Sequence, residues 1–135
     1  MNSTIVIFPG TNRERDMVMA VEQASGKKPN FVWYNDTSFP KTDLIIVPGG
    51  FSYGDYLRSG AMAARSPAMN SVLEYASKGV PILGVCNGFQ ILTEVGLLPG
   101  ALIRNKNLKF ICRNVSIKVE ADDSIFTSRY SKGQI

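Results

Sequence analysis

The stretch that decides the fold is VPILGVCNGFQ, residues 80–90. An apolar run of buried-strand type ends at Val85, and a G-x-C-x-G turn made by Gly84, Cys86 and Gly88 leads into a helix. This is the layout of a nucleophile elbow, whose sharp strand-to-helix turn projects one side chain at the carboxyl edge of a sheet. The flanking glycines allow backbone and helix to pack around a strained turn. The pattern predicts Cys86 as a nucleophile; the alternative is a buried, inert cysteine.

The predicted helix begins at Asn87, beside the sulfur, and its N-terminus attracts negative charge. The backbone N–H of Asn87 points to where an oxyanion would form. A second loop, PGGFSYGD over residues 48–55, follows another buried strand and therefore lies at the same carboxyl edge. The adjacent Gly49 and Gly50 are typical of a tight turn. Beside Cys86 they could also supply a second oxyanion donor.

Outward from the elbow, strands alternate with helices along the chain. Strands are predicted at residues 4–8, 31–34, 43–47 and 81–85. Helices are predicted from a Thr11–Glu14 capping box to Gly26, from Ser66 and Pro67 to Gly79, and over residues 87–95. This order predicts an α/β protein with a flavodoxin-like, open, mostly parallel sheet and helices on both faces. A period of two over residues 115–120 predicts a half-buried antiparallel strand, and Cys112, on the same strand-like sequence, is predicted to be a core thiol.

Composition excludes several classes of protein. The 135 residues are 44% hydrophobic and 19% charged, which is typical of one globular domain and not of a disordered chain or a coiled coil. The apolar runs are too short to span a membrane, and no signal peptide is recognisable. Two cysteines form no disulfide framework, which favours a cytoplasmic setting. The excess positive charge lies sparsely after residue 100, which indicates a solvated face or an acidic partner more than a nucleic-acid site.

The chain contains no histidine. Mechanisms that pair a serine or cysteine with a histidine base, and metal sites built on histidine, therefore cannot be completed by these 135 residues alone.

The sequence resembles the class I (triad) glutamine amidotransferases. Within that family it is most similar to glutaminase subunits of purine biosynthesis, which deliver ammonia to an ATP-dependent synthetase that aminates formylglycinamide ribonucleotide. The resemblance covers essentially the whole chain. It is carried by residues 7–12, 48–58, 63–67, 84–92, 97–102 and 104–105, and by the segment from 126 to 134.

The resemblance implies roles for individual residues. Cys86 would attack the side-chain amide of glutamine, form a γ-glutamyl thioester and release ammonia. Gly50 and Asn87 would donate their backbone N–H groups to the oxyanion. Gln90, Gly49 and Phe51 would bind the substrate. No metal or cofactor is implied in this chain, whereas ATP and Mg are implied on the partner synthetase.

The implied partners are glutamine, a large synthetase subunit and a small accessory subunit, with no nucleic acid and no membrane. The family's triad His and Glu lie a little beyond the position that matches Ile135. We therefore expect residues 1–135 to be the N-terminal part of one amidotransferase domain, incomplete at its C-terminus and inactive alone. Two alternatives stay open: a truncated, non-catalytic module that binds a partner, and another α/β hydrolase with a cysteine elbow.

Overall fold

The computed structural model describes all 135 residues and divides them into two compact units, residues 1–103 and residues 104–135. The first unit contains every helix and strand. In chain order these are β1 Ser3–Ile7, α1 Glu14–Ser25, β2 Asn30–Trp33, β3 Leu44–Val47, α2 Pro67–Ser77, β4 Ile82–Gly84 and α3 Asn87–Glu94. Short 3-10 turns occupy Ser52–Asp55 and Ala63–Arg65. No helix is both long enough and apolar enough to cross a membrane.

The four strands form one parallel sheet in the order β2-β1-β3-β4. Ile5 of β1 pairs with Phe31 on one side and Ile46 on the other, so β1 and β3 are central. This is the flavodoxin-like order, in which successive crossovers run first to one side of β1 and then to the other. The predicted fold class is confirmed.

Alternate residues of the central strands face opposite layers of helix, as the period of a strand requires. On one face Ile5 and Ile46 are buried with Val21 of α1. On the other face α2 and α3 cover the sheet, and the buried residues there include Val6, Ile45, Val47, Met69, Val72, Ile91 and Leu92. Because both faces are covered, residues 5–7 of β1 and all four residues of β3 are apolar. Helices on both faces are therefore confirmed.

The start of α1 differs from its prediction. The helix begins at Glu14, after Arg13, and no side chain caps it. The Thr11 hydroxyl instead accepts a hydrogen bond from the Phe8 N–H at 3.0 Å, and the Thr11 N–H donates to the Phe8 carbonyl at 2.9 Å. The predicted capping box is wrong because Thr11 closes the turn after β1. The predicted stop at Gly26 is confirmed by its left-handed conformation, φ 69°.

The second unit contains no helix or strand, so the predicted antiparallel strand at 115–120 is wrong. A strand needs a ladder of backbone hydrogen bonds with a neighbouring strand. Here only Val119 bonds to another segment, accepting from the Gly133 N–H and donating to the Gln134 carbonyl, and no ladder forms. Val115 and Ile117 are exposed. Cys112 is exposed as well, so its prediction as a core thiol is also wrong.

A bidentate ion pair connects the loop after β3 to the end of α3. The Arg58 guanidinium donates from Nε and Nη2 to the two carboxylate oxygens of Glu94, both at 2.8 Å. These hydrogen bonds hold the pKa of the Glu94 carboxyl below its usual range. A lowered folded-state pKa stabilises the fold above the unfolded-state value of about 4.3, and this stabilisation is lost as pH falls through the folded-state pKa.

Glu94→Gln is therefore expected to lower the midpoint of urea unfolding at neutral pH, because it removes the charged acceptor. The difference from the wild-type chain should shrink as pH falls through the lowered pKa of Glu94, because protonation then removes the charged acceptor from the wild-type chain as well. Urea titrations of both chains at neutral and at acidic pH measure it. An equal difference in the unfolding midpoint at both pH values would show that the charge of Glu94 does not stabilise the fold.

Candidate active site

Three loops meet at the carboxyl edge of the sheet. They follow β1, β3 and β4 and comprise residues 8–13, 48–56 and 85–86. After β1 the chain crosses over to β2 on one side of β1, and after β2 it crosses back to β3 on the other side of β1. The strand order therefore reverses between β1 and β3, which makes this a topological switch point. In open α/β sheets ligands bind in the crevice at such a point. Fold geometry alone therefore places a site here.

Cys86 lies at the tip of the turn between β4 and α3. Its backbone has φ 52° and ψ −109°, a region that non-glycine residues avoid, and its side chain is exposed. Strain of this kind costs about 1–3 kcal/mol and persists only where the surroundings enforce it. The Val85 N–H donates to the Val47 carbonyl at 3.0 Å, and the Gly88 N–H donates to the Val85 carbonyl at 2.9 Å. Strand β3 and the first turn of α3 thus hold the elbow on both sides.

The two glycines of the elbow are required because a side chain at either position would clash with neighbouring atoms. A Cβ atom on Gly84 would lie 2.6 Å from Leu92 Cδ1 and 2.9 Å from the carbonyl of Gly88. A Cβ atom on Gly88 would overlap the carbonyl oxygen of Val47. Helix α3 therefore approaches the end of β3 as closely as only glycine allows, and this brings its N-terminus up to the loop after β3.

The loop after β3 is attached to the loop after β1 by backbone hydrogen bonds. The Phe51 N–H donates to the Gly10 carbonyl at 2.9 Å, and the Arg13 N–H donates to the Gly49 carbonyl at 3.2 Å. Gly50 lies between these two bonds, and its own N–H donates no hydrogen bond within the protein. The N–H of Asn87, at the start of α3, is likewise without an acceptor. Two amide donors are therefore unused, one on the residue that follows Cys86 and one in the loop after β3, as the donors of an oxyanion hole would be.

A cavity of about 350 Å³ opens beside the thiol. Four of the six residues predicted for the site line it: Gly49, Gly50, Phe51 and Cys86. Its size is sufficient for a small polar metabolite. The other two, Asn87 and Gln90, do not line it and lie in the first turn of α3.

The β1 side of the cavity was not predicted from the sequence. Asn12 and Arg13 of the loop after β1 line it together with Asp16 and Met17 of α1, and Val85 is the remaining lining residue. Arg13 also forms an ion pair with Asp16 at 3.3 Å. A usable signal was present, because a loop that follows the central strand β1 must reach the same sheet edge as the elbow.

The side chain of Asn87 is the centre of a hydrogen-bond network. Asn87 is only 2% exposed. Its Oδ1 accepts from the Ser52 N–H at 3.0 Å, and its Nδ2 donates to Gln90 Oε1 at 3.0 Å and to Asp55 Oδ1 at 3.3 Å. Next to this network, burial raises the pKa of Tyr53 above its usual range, and the nearby Tyr34 adds to the shift. The network joins α3 to the loop after β3, and the phenol beside it stays neutral near pH 7.

The arrangement is suited to acyl transfer. A thiol at a strained elbow can attack a carbonyl carbon, and two backbone amides can stabilise the resulting oxyanion. No group of three or more Cys, Asp or Glu side chains is arranged to hold a metal ion.

Comparison with known proteins gives results that agree with one another. The sequence model of the CobB/CobQ-like glutamine amidotransferase domain family matches residues 1–135. The curated phosphoribosylformylglycinamidine synthase subunit PurQ of Rhodospirillum rubrum is 59% identical over 136 residues, which cover all of this chain and 59% of that protein. The protein of the same name from Mesorhizobium japonicum is 56% identical over 135 residues, covering all of this chain and 61% of that protein.

The fold has a close counterpart among solved structures. A chain in the structure of PurLQS from Thermotoga maritima superposes with a TM-score of 0.85 at 45% sequence identity, covering 98% of this chain and 62% of that one. This chain thus spans about three-fifths of the length of the relatives it matches.

Proposed function

The chain belongs to the CobB/CobQ-like glutamine amidotransferase domain family, and we propose that its cysteine elbow releases ammonia from glutamine for phosphoribosylformylglycinamidine synthase. The ammonia aminates formylglycinamide ribonucleotide in purine biosynthesis, in the cytoplasm. The observation that carries the proposal is the strained Cys86 in one cavity with Gly50, whose N–H has no acceptor, and followed by Asn87, whose N–H has none either.

The proposed reaction has two halves. The Cys86 thiolate adds to the Cδ carbonyl carbon of glutamine, and the N–H groups of Gly50 and Asn87 bind the oxyanion. The C–N bond breaks, the nitrogen takes up a proton and leaves as ammonia, and a γ-glutamyl thioester remains. Water then adds to the thioester, the C–S bond breaks, and glutamate leaves as the thiol is regenerated. Gly49, Phe51 and Gln90 are proposed to bind the substrate.

These steps need proton transfers that the chain's own residues do not supply, because it contains no histidine. We assign them to the triad His and Glu that the family resemblance implies beyond residue 135. Residues 1–135 would then be the N-terminal part of one amidotransferase domain. ATP, Mg and the nucleotide would bind on a large synthetase subunit, with a small accessory subunit completing the complex. The curated relatives are named as subunits of phosphoribosylformylglycinamidine synthase, which supports the proposal that this chain is one subunit of a larger complex.

A chimaera tests the proposal. Residues 1–135 are fused to the part of the Rhodospirillum rubrum protein that follows its matched region, and glutamate formation from glutamine is measured with that organism's synthetase subunit. We expect the chimaera to exceed residues 1–135 alone by at least about 10³-fold, because the general base is restored. A folded chimaera that binds the synthetase and forms no glutamate would refute the proposal. It would favour the alternative of a non-catalytic binding module, which the lack of histidine in this chain supports.

A further inference from the structure

We propose that the side chain of Asn87 is a positioning residue, which fixes the spacing between the two backbone donors of the oxyanion hole. The inference rests on the proposed glutaminase function, because it concerns the same site. Only the backbone N–H of Asn87 was predicted to act in the site, and the inference adds a role for its side chain.

The contact that carries the inference joins the two halves of the hole. Asn87 contributes one donor through its own N–H, and its Oδ1 accepts the N–H of Ser52, two residues after Gly50. The segment that carries the Gly50 donor is therefore attached to the residue that carries the other donor. Both Asn87 and Ser52 are buried, so water does not compete for this bond.

The orientation of the Asn87 amide is determined by its other partners. Nδ2 donates to Asp55 Oδ1 and to Gln90 Oε1, and a carboxylate oxygen and an amide carbonyl oxygen are hydrogen-bond acceptors. The amide nitrogen must face them, so Oδ1 must face Ser52. Asp55 and Gln90 thus act on the hole through Asn87.

Backbone strain lies at both ends of this connection. Tyr53, Gly54 and Asp55 are consecutively left-handed, with φ of 53°, 74° and 52°, and Cys86 has φ 52°. Such conformations persist only where neighbouring contacts enforce them. Within the loop, the Asn87 side chain bonds immediately before this strained run, at Ser52, and at its last residue, Asp55. Loss of that side chain should let the loop relax and move the Gly50 donor.

The first arm of the test is kinetic and uses the chimaera with its synthetase. For Asn87→Ala we expect kcat to fall about 10²-fold with KM for glutamine within about threefold, because the oxyanion contact forms only in the transition state. Asn87→Asp keeps an acceptor for Ser52 but faces the Asp55 carboxylate, so kcat should fall as well. Adding Asp55→Asn to Asn87→Asp restores the donor–acceptor pair and should recover kcat to within about tenfold of wild type.

The matched control is Thr93→Ala in the same helix. The Thr93 hydroxyl donates to the Phe89 carbonyl at 3.0 Å and forms no hydrogen bond with the loop after β3. We expect it to lower thermal stability without changing kcat. If Asn87→Ala left kcat unchanged, or if its loss of kcat were matched by Thr93→Ala at equal stability, the positioning role would be excluded.

The second arm does not require activity and uses residues 1–135. Amide hydrogen exchange of Ser52, followed by NMR, should be at least about tenfold faster in Asn87→Ala and near wild type in the Asn87→Asp/Asp55→Asn chain. Unchanged exchange in Asn87→Ala would show that no such connection exists. Because this arm is independent of catalysis, an inactive chimaera would refute the proposed function and leave the connection to be decided by exchange.

Discussion

Cys86→Ala is expected to lower the glutaminase activity of the chimaera at least about 10⁴-fold. Removal of the nucleophile in enzymes of this type leaves only the contributions of binding and the oxyanion hole. The thioester cannot form without the sulfur, whereas the backbone donors at Gly50 and Asn87 are unaffected. Glutamate and ammonia formation, measured with the synthetase present, provides the value.

The matched control for this prediction is Cys112→Ala. Cys112 is the other cysteine, exposed and in the unit of residues 104–135, so its removal should leave the activity unchanged. Cys86→Gly adds a stability readout. Glycine accepts φ 52° without strain, so this variant should unfold at a higher temperature than the wild-type chain while being inactive. Activity above about one hundredth of wild type in Cys86→Ala would contradict the assignment of the nucleophile.

Gly88→Ala is expected to destabilise the first unit by about 3 kcal/mol or more. The added methyl group would overlap the carbonyl oxygen of Val47, and neither β3 nor α3 can move without disrupting the core between them. Urea unfolding of residues 1–135, followed by circular dichroism, measures the loss. If Gly88→Ala is already unfolded without urea, the destabilisation exceeds the stability of the first unit, which also agrees with the prediction.

The control is a glycine with space around it. Gly96 has φ 77°, and a Cβ atom there would meet no atom within 4 Å. Gly96→Ala should therefore cost only the strain of a left-handed alanine, about 1–2 kcal/mol. Equal losses for the two variants would show that the contact between α3 and the end of β3 is looser than the structure describes.

The sequence was most informative where local pattern and tertiary contact require the same residue. The run before Val85 is apolar because both faces of its sheet are covered. Gly84 is a glycine because α3 packs on its backbone, and Gly88 is a glycine because α3 packs there on the end of β3. Strand positions, the elbow and the sheet edge that carries the site could therefore be predicted. The resemblance to glutamine amidotransferases supplied roles that the pattern alone left open.

Prediction failed where the outcome depended on partners distant in sequence. Thr11 has the composition of a helix cap, yet its hydroxyl bonds to Phe8 because the chain must first turn at the end of β1. The alternation around Ile117 suits a strand, but no adjacent ladder forms in residues 104–135. The Asn87 side chain bonds to Asp55 and Ser52, which lie 32 and 35 positions away in the chain, and no local sequence pattern predicts these contacts. Such features require the structure.

The central claim is that Cys86 is a glutamine-directed nucleophile, and a labelling measurement tests it most directly. The chimaera is treated with a glutamine analogue that carries a chloroketone in place of the side-chain amide, and the intact mass and the modified peptide are determined. We predict one adduct, located at Cys86, whose formation is slowed by added glutamine. Labelling that falls equally on Cys86 and Cys112, or that glutamine does not slow, would contradict the claim.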